Sequence, residues 1–191
     1  MNVRRSMVGM FVTAVALSTP LAAQAKGGST WSVGLAATLG GGWQIEGADV
    51  GVARRIGAGP VRALGVAGRF GSFINEGAII GGAQGFVAAL ALSARSGRVD
   101  LAQMGPENNP TTFGLDLTVE LAGYAGTKSP LPQGGRWAAV SVLPGLRFGN
   151  PDGGQWSLVV GPAAFLGHPT DVHAFLGIRF EAPLARRERH P

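Results

Sequence analysis

The 191-residue chain has no cysteine, and lysine occurs only at Lys26 and Lys128. Without thiols there are neither disulfides nor thiolate metal sites, so backbone pairing and packing must hold the fold together. Charged residues make up 14% of the chain, against about 25% in a typical soluble domain. That is too few to cover the outside of a water-soluble barrel. Arginines form no run or stripe apart from the tail Arg186, Arg187 and Arg189, which argues against a nucleic-acid partner. No G-x-S-x-G elbow, phosphate-binding loop or H-E-x-x-H zinc motif occurs. Glycine, by contrast, is abundant at 32 residues.

Residues 1–25 read as a secretory signal. Arg4 and Arg5 supply a positive start, Met7 to Leu17 an apolar stretch too short to span a bilayer, and Ala23-Gln24-Ala25 a small-x-small cleavage site. This predicts Sec-dependent export and a mature chain from Lys26, about 166 residues long and enough for one domain. Residues 26–182 form that domain, and 183–191 are a basic C-terminal tail.

Period-2 alternation predicts eight strands: Trp31 to Leu39, Ala48 to Ile56, Val61 to Gly71, Gln84 to Arg95, Thr111 to Gly126, Arg136 to Gly149, Gln155 to Gly167 and Val172 to Ala182. Gly/Pro/Asn/Asp clusters punctuate them, and Arg98 to Leu101 could extend the preceding hairpin. One stretch competes. Residues 77–94 carry no charge, and Gly77, Gly81 and Gly85 have the spacing of packed membrane helices. Glycine's poor helix propensity and the alternation of Phe86, Ala88, Leu90 and Leu92 favour a strand with a preceding loop or plug.

Parity then gives one face to large apolar residues, as in Phe113, Leu115, Leu117, Val119 and Leu121. The other face is Gly, Ala and Ser with a few charges. Glycine and alanine suit the inside of a narrow closed barrel, and the apolar face then meets lipid. A secreted sandwich with a small-residue second face is the alternative. Trp31, Trp137 and Trp156 begin strands, and Phe148 and Phe180 end them, where interfacial aromatics sit. Trp43 falls in a loop.

The stretch His173-Ala174-Phe175-Leu176-Gly177-Ile178-Arg179-Phe180 alternates to a terminal aromatic. It resembles the C-terminal assembly signal of outer-membrane barrels, although Glu181 to Pro191 follow it. With the signal and eight strands, the chain resembles the small OmpA/OmpX-like outer-membrane barrels over nearly all its mature length. The resemblance implies an all-β, eight-stranded antiparallel up-and-down transmembrane barrel in the outer membrane of a Gram-negative-type bacterium. It implies a monomer, with lipid and the barrel-assembly machinery as partners and no cofactor.

In the family's orientation, lumen-facing Arg55, Arg95, Asp116, Arg147, Arg179 and Glu181 fall near the periplasmic end. Glu120 sits higher and Arg69 near the opposite end. Confined charges must be paired or hydrated, so Asp116 and Glu120 are expected to bond lumen arginines, Arg147 being the nearest. The arginine excess would favour anions wherever water entered. Large Leu143, Val159, Phe165 and Phe175 face inward opposite the small residues of the first four strands, which predicts a filled lumen. His168, Asp171 and His173 straddle a tight turn without a third ligand or a paired serine, and read as turn and lumen polarity rather than metal or catalytic residues. The expected role is structural or interactive, through surface loops at Gly40 to Gly47, Ser72 to Ala83 and Thr127 to Gly135. A narrow solute pore, a lipid-A-modifying enzyme and a soluble exported binding protein are the alternatives.

Overall fold

A computed structural model describes residues 28–40, 42–57, 59–75, 85–107, 110–127, 135–150 and 152–184. They form nine strands: β1 (Ser29–Gly40), β2 (Trp43–Arg55), β3 (Val61–Asn75), β4 (Gly85–Ser96), β5 (Val99–Met104), β6 (Thr111–Gly126), β7 (Arg136–Gly149), β8 (Gln155–Leu166) and β9 (Asp171–Pro183). All pairings are antiparallel, and every strand but β5 joins one closed ring, because β4 pairs with β6 and β9 with β1. The architecture is therefore the expected all-β, eight-stranded up-and-down barrel. Closure removes every edge from the ring.

Following paired residues around the ring from Thr30 passes through Ala53, Gly65, Ser93, Glu120, Ser141, Ala163 and His173. His173 lies one position beyond the Leu39–Ala174 pair, level with Gly40. The circuit thus returns ten residues up the strand it left. A stagger of that size tilts the strands by roughly 40° from the barrel axis. It also decides which side chains share a height in the lumen.

β5 covers most of the stretch expected to extend the preceding hairpin, Arg98 to Leu101, but it pairs with the following strand, β6, instead. After a break at Gly97 and Arg98 the chain resumes against Thr111 to Leu115 of β6, with a register shift between Asp100 and Ala102. This hairpin projects past the ring at the end where β1 begins and β9 finishes, marked by Leu184 N–H donating to Ser29 O at 2.8 Å. We call this the termini end and the opposite one the distal end.

Two expected surface loops are shorter than predicted. Gly40 pairs directly with Trp43, so most of Gly40 to Gly47 is strand. Gly42 takes φ 79°, a left-handed conformation open to glycine at no steric cost. Ser72 to Asn75 likewise belong to β3; residues 76–83, and 128–134 of the third expected loop, lie outside the described residues. Gly85 to Ser96 are strand, so the described part of the 77–94 stretch is not helical. Among the described residues no helix is long and apolar enough to cross a membrane. The signal segment and the tail from Ala185 lie outside the described residues.

Alternation is realised along the whole wall. Leu115, Leu117, Val119 and Leu121 point out of the barrel, Leu121 being 51% exposed, while Thr118, Glu120 and Ala122 between them are buried inside. At Gly47 and Gly71, a cross-strand pair on the lumen side, β2 and β3 are pressed so close that a Cβ on either would collide with the facing backbone.

Candidate functional site: a closed lumen in three layers

Nearest the termini end is a ring of four ionic side chains. Arg147 of β7 donates to Asp116 of neighbouring β6 and forks onto Glu181 of β9, with N–O distances of 2.7 and 3.1 Å. From the far wall, Arg95 of β4 spans the lumen to both Glu181 oxygens at 3.0 Å and approaches Asp116 at 3.8 Å. Below the ring, Arg98 reaches in from the β4–β5 break to donate to Gln155 at 2.9 Å and to Thr112.

The middle layer repeats the chemistry with other strands. Arg69 of β3 donates to Asp49 of β2 at 3.0 Å and forks onto Glu120 of β6 at 2.6 and 2.7 Å. Arg179 of β9 donates to the same Asp49 oxygen at 3.0 Å and lies 3.6 Å from Glu120. The Arg69 guanidinium sits 4.9 Å above the Phe175 ring, in cation–π range.

The distal layer is aromatic. Trp43 packs on His173 at 3.8 Å and edge-on against Phe165 at 4.8 Å, and Tyr124 stacks on Trp137 at 5.8 Å with the rings 2° from parallel. Phe73 lies beside Trp43. At the rim, Asp171 accepts from the Trp43 indole at 2.9 Å and lies 3.1 Å from His173 Nε2. Phe165 and Leu143 are fully buried.

Large side chains of β6 to β9 meet Gly, Ala and Ser of β1 to β4, and the space left over is small. A cavity of about 30 Å³ lies between Ser32, Gly51, Ala67 and Ser93 on one side and Glu120, Arg147, Arg179 and Glu181 on the other, room for about two waters. A second, of about 20 Å³, adjoins Arg69, Tyr124 and Phe175.

The expected lumen residues are thus distributed in a definite way. Arg95, Asp116, Arg147 and Glu181 meet in the lower ring, whereas Glu120 and Arg179 belong to the middle layer. Arg55 joins neither: at the last position of β2 it is past the wall and exposed. Parity along single strands places Arg69 near the opposite end and leaves Asp49 without a partner. They share inward parity and oppose each other directly in the β2–β3 register, a relation legible only once the hairpin turn is known. With these assignments the two layers hold four arginines, Arg69, Arg95, Arg147 and Arg179, against four carboxylates, Asp49, Asp116, Glu120 and Glu181. The expected arginine excess is absent from these layers, and with it the reason to favour anions.

Of the expected interfacial aromatics, Trp31, Phe148, Trp156 and Phe180 lie on the outward face, together with Phe113. They form an arc at the termini end, Phe180 meeting Trp31 at 5.8 Å and Trp156 at 5.4 Å, and Phe113 meeting Phe148 at 6.4 Å. Trp137 is different. It is 6% exposed and faces inward, as does Trp43, because the distal lumen is closed by rings rather than by the small residues that mark the inward face elsewhere. His173 also faces inward, while His168 is exposed in the β8–β9 turn. Among the described residues, no three of His, Cys, Asp and Glu are grouped to hold a metal ion.

Fold and lumen together define a closed, eight-stranded, up-and-down β-barrel with a side-chain-filled interior. Among solved structures it is similar to the crystal structure of Neisserial surface protein A, with 10% sequence identity over 84% of this chain and 98% of that one, at a TM-score of 0.46. No family model and no curated protein matches the chain.

Proposed function

We propose that the protein is an outer-membrane barrel of the OmpA/OmpX-like kind that works as a filled scaffold, presenting its distal rim at the cell surface for contact with lipids or other macromolecules. The observation that carries this reading is the inversion of polarity across the wall. Outside, Leu35, Val50, Phe70, Phe86, Leu121, Val160 and Leu176 are among many exposed large apolar side chains, Phe86 reaching 74%. Inside, eight charges are matched, five of them buried and Arg95, Asp116 and Arg179 half-buried. Water as the outer solvent would reverse both preferences, whereas lipid satisfies them and requires the closed ring. Ten residues of tilted strand rise about 25 Å along the axis, the height of a barrel's apolar band. The aromatic arc lies along one border of that band.

The filled lumen weighs against the pore reading: the two cavities described above have room for only a few waters. Of the two histidines considered for lipid modification, His173 points into the lumen, whereas His168 is exposed in the β8–β9 turn. The signal segment supports export, and the barrel-assembly machinery is the partner that such a fold requires. The testing experiment is heat modifiability. The full chain, expressed with its leader and recovered in outer membranes, is expected to migrate differently on a detergent gel before and after boiling. A soluble periplasmic product with no shift would overturn the reading.

A further inference from the structure

Among the described strands, closure leaves one with an open side. β4 pairs with β3 on one side and β6 on the other, whereas β5, which carries the same line past the break at Gly97 and Arg98, keeps only β6. Val61, the first residue of β3, pairs with Ser96, the last of β4, so the open side begins at the β2–β3 turn. Every second residue of a strand directs its N–H and C=O to one side, and among the described residues no strand takes those of β5 that point away from β6. The six side chains of β5 are all exposed, Val99, Leu101 and Met104 each by more than half. Carrying the stagger round the ring puts Gly97 level with Thr30 at the foot of β1. The second half of β5 passes the aromatic border at Phe113, the partner of Ala102.

Most of the devices that blunt a free edge are missing from this one. Val99–Met104 has no proline and no lysine, and its one charge, Asp100, lies 2.6 Å from Arg98 Nε. A register shift falls between Asp100 and Ala102, but Ala102, Gln103 and Met104 pair without interruption against Phe113, Thr112 and Thr111. Such an edge is a template for a further strand. Charge then selects the occupant. Arg55, at the end of β2, and Arg62, near the start of β3, are exposed at the head of the open side, where a Cβ on Gly97 would stand 3.3 Å from Arg62 Cγ. Arg62 donates to Gly57 O at 3.1 Å, and among the described residues neither arginine forms an ion pair with a carboxylate. Two such guanidinium groups repel the chain's own tail, with Arg186, Arg187 and Arg189. A second copy fails on geometry. Pairing two identical open edges needs a two-fold axis, which for barrels inserted alike is the membrane normal, and strands tilted by roughly 40° would then cross at roughly 80° instead of aligning.

We propose that β5 is a docking edge to which an acidic, extended segment of a soluble partner protein adds as a further strand, its carboxylates meeting Arg55 and Arg62. Main-chain hydrogen bonds to β5 supply the part of the affinity that any extended segment shares, and alternate side chains lie beside Ala102 and Met104 on one face and Gln103 on the other. The arginines select by charge, since each guanidinium offers a fork that matches a carboxylate. The barrel thus has a second contact surface, at the end opposite the distal rim. The inference stands on the membrane reading only where a second copy is set aside.

The full chain is refolded in detergent micelles, checked for a heat shift, and titrated into two short fluorescent, end-blocked peptides that alternate valine with glutamate or valine with lysine. Anisotropy should show the glutamate peptide binding at least about tenfold more tightly, as expected when two surface ion pairs are exchanged for repulsions. The preference should shrink at high salt and nearly vanish in Arg55→Gln/Arg62→Gln, which alters only exposed side chains. Replacing residues 99–110 by a short turn should abolish binding of both peptides while the heat shift remains. No binding, equal binding of the two peptides, or tight binding retained by the folded variant without β5 would overturn the proposal. So would binding that appears only in a chain ending at Leu184, which assigns the edge to the tail, or disulfide-linked dimers of Gln103→Cys in bilayers, which assign it to a second copy. A chain without a heat shift would overturn the membrane reading, and the same titration would still decide the edge.

Discussion

Glu181 and Glu120 are each held by two arginines in a confined space, and their energetics follow from that. Removing one member of a buried pair leaves the other charge unsatisfied, at a cost of about 3 to 5 kcal/mol. Glu120→Leu and Arg69→Met should therefore each lower the urea midpoint of the refolded barrel substantially. The double variant, which removes both charges at similar volume, should cost less than the sum of the singles. A double-mutant cycle measures the difference. The tryptophans give a second check at this scale. In single-tryptophan variants, brominated lipid should quench Trp31 and Trp156 strongly and leave Trp43 and Trp137 nearly untouched. Strong quenching of Trp137 would contradict the aromatic distal layer.

At the scale of elements, β7 and β8 share a flaw. Their pairing runs from Ala138–Leu166 to Ser141–Ala163 and resumes at Gly145–Val159, and the interruption contains Pro144 and Pro162. Proline has no N–H to give a ladder and is otherwise confined to edges and bulges; a closed ring has no edge on which to put it. A carbonyl left unpaired in lipid costs several kcal/mol, more than the roughly 0.4 to 1 kcal/mol that proline gains by stiffening the unfolded chain. Pro162→Ala and Pro144→Val should accordingly raise the temperature at which the folded band disappears on a detergent gel. The β5–β6 hairpin offers the opposite test. Closure depends on β4–β6 pairing from Val87–Gly126 to Arg95–Thr118, not on β5. Replacing residues 99–110 by a short turn should leave a heat-modifiable barrel, and an unfolded product would show that closure depends on the extension.

For the whole molecule, a matched lumen capped by rings predicts electrical silence. In planar bilayers the folded protein should show no unitary conductance, and a stable anion-selective channel would count against the three-layer interior. Much of this architecture was legible beforehand, because alternation and turn chemistry are local: strands such as Thr111 to Gly126 and Arg136 to Gly149 follow from neighbours two residues apart. The outward placement of Leu115 to Leu121 was legible too, since scarce charge and small opposite faces admit few other solvents. Other features were not. The face taken by Trp137 depends on how much volume the distal lumen must fill, and Arg55 lies in the correct parity but one position past the wall. Arg95 and Glu181 meet across 86 residues of sequence, at a height set jointly by closure and the ten-residue stagger. By itself, then, the amino-acid order determined where strands run and which of their faces is greasy, because a period of two is written in adjacent residues. Only the tertiary structure decided which charges neutralise which, and which rings close the distal end, because those partners are chosen by the geometry of a ring that no single strand contains.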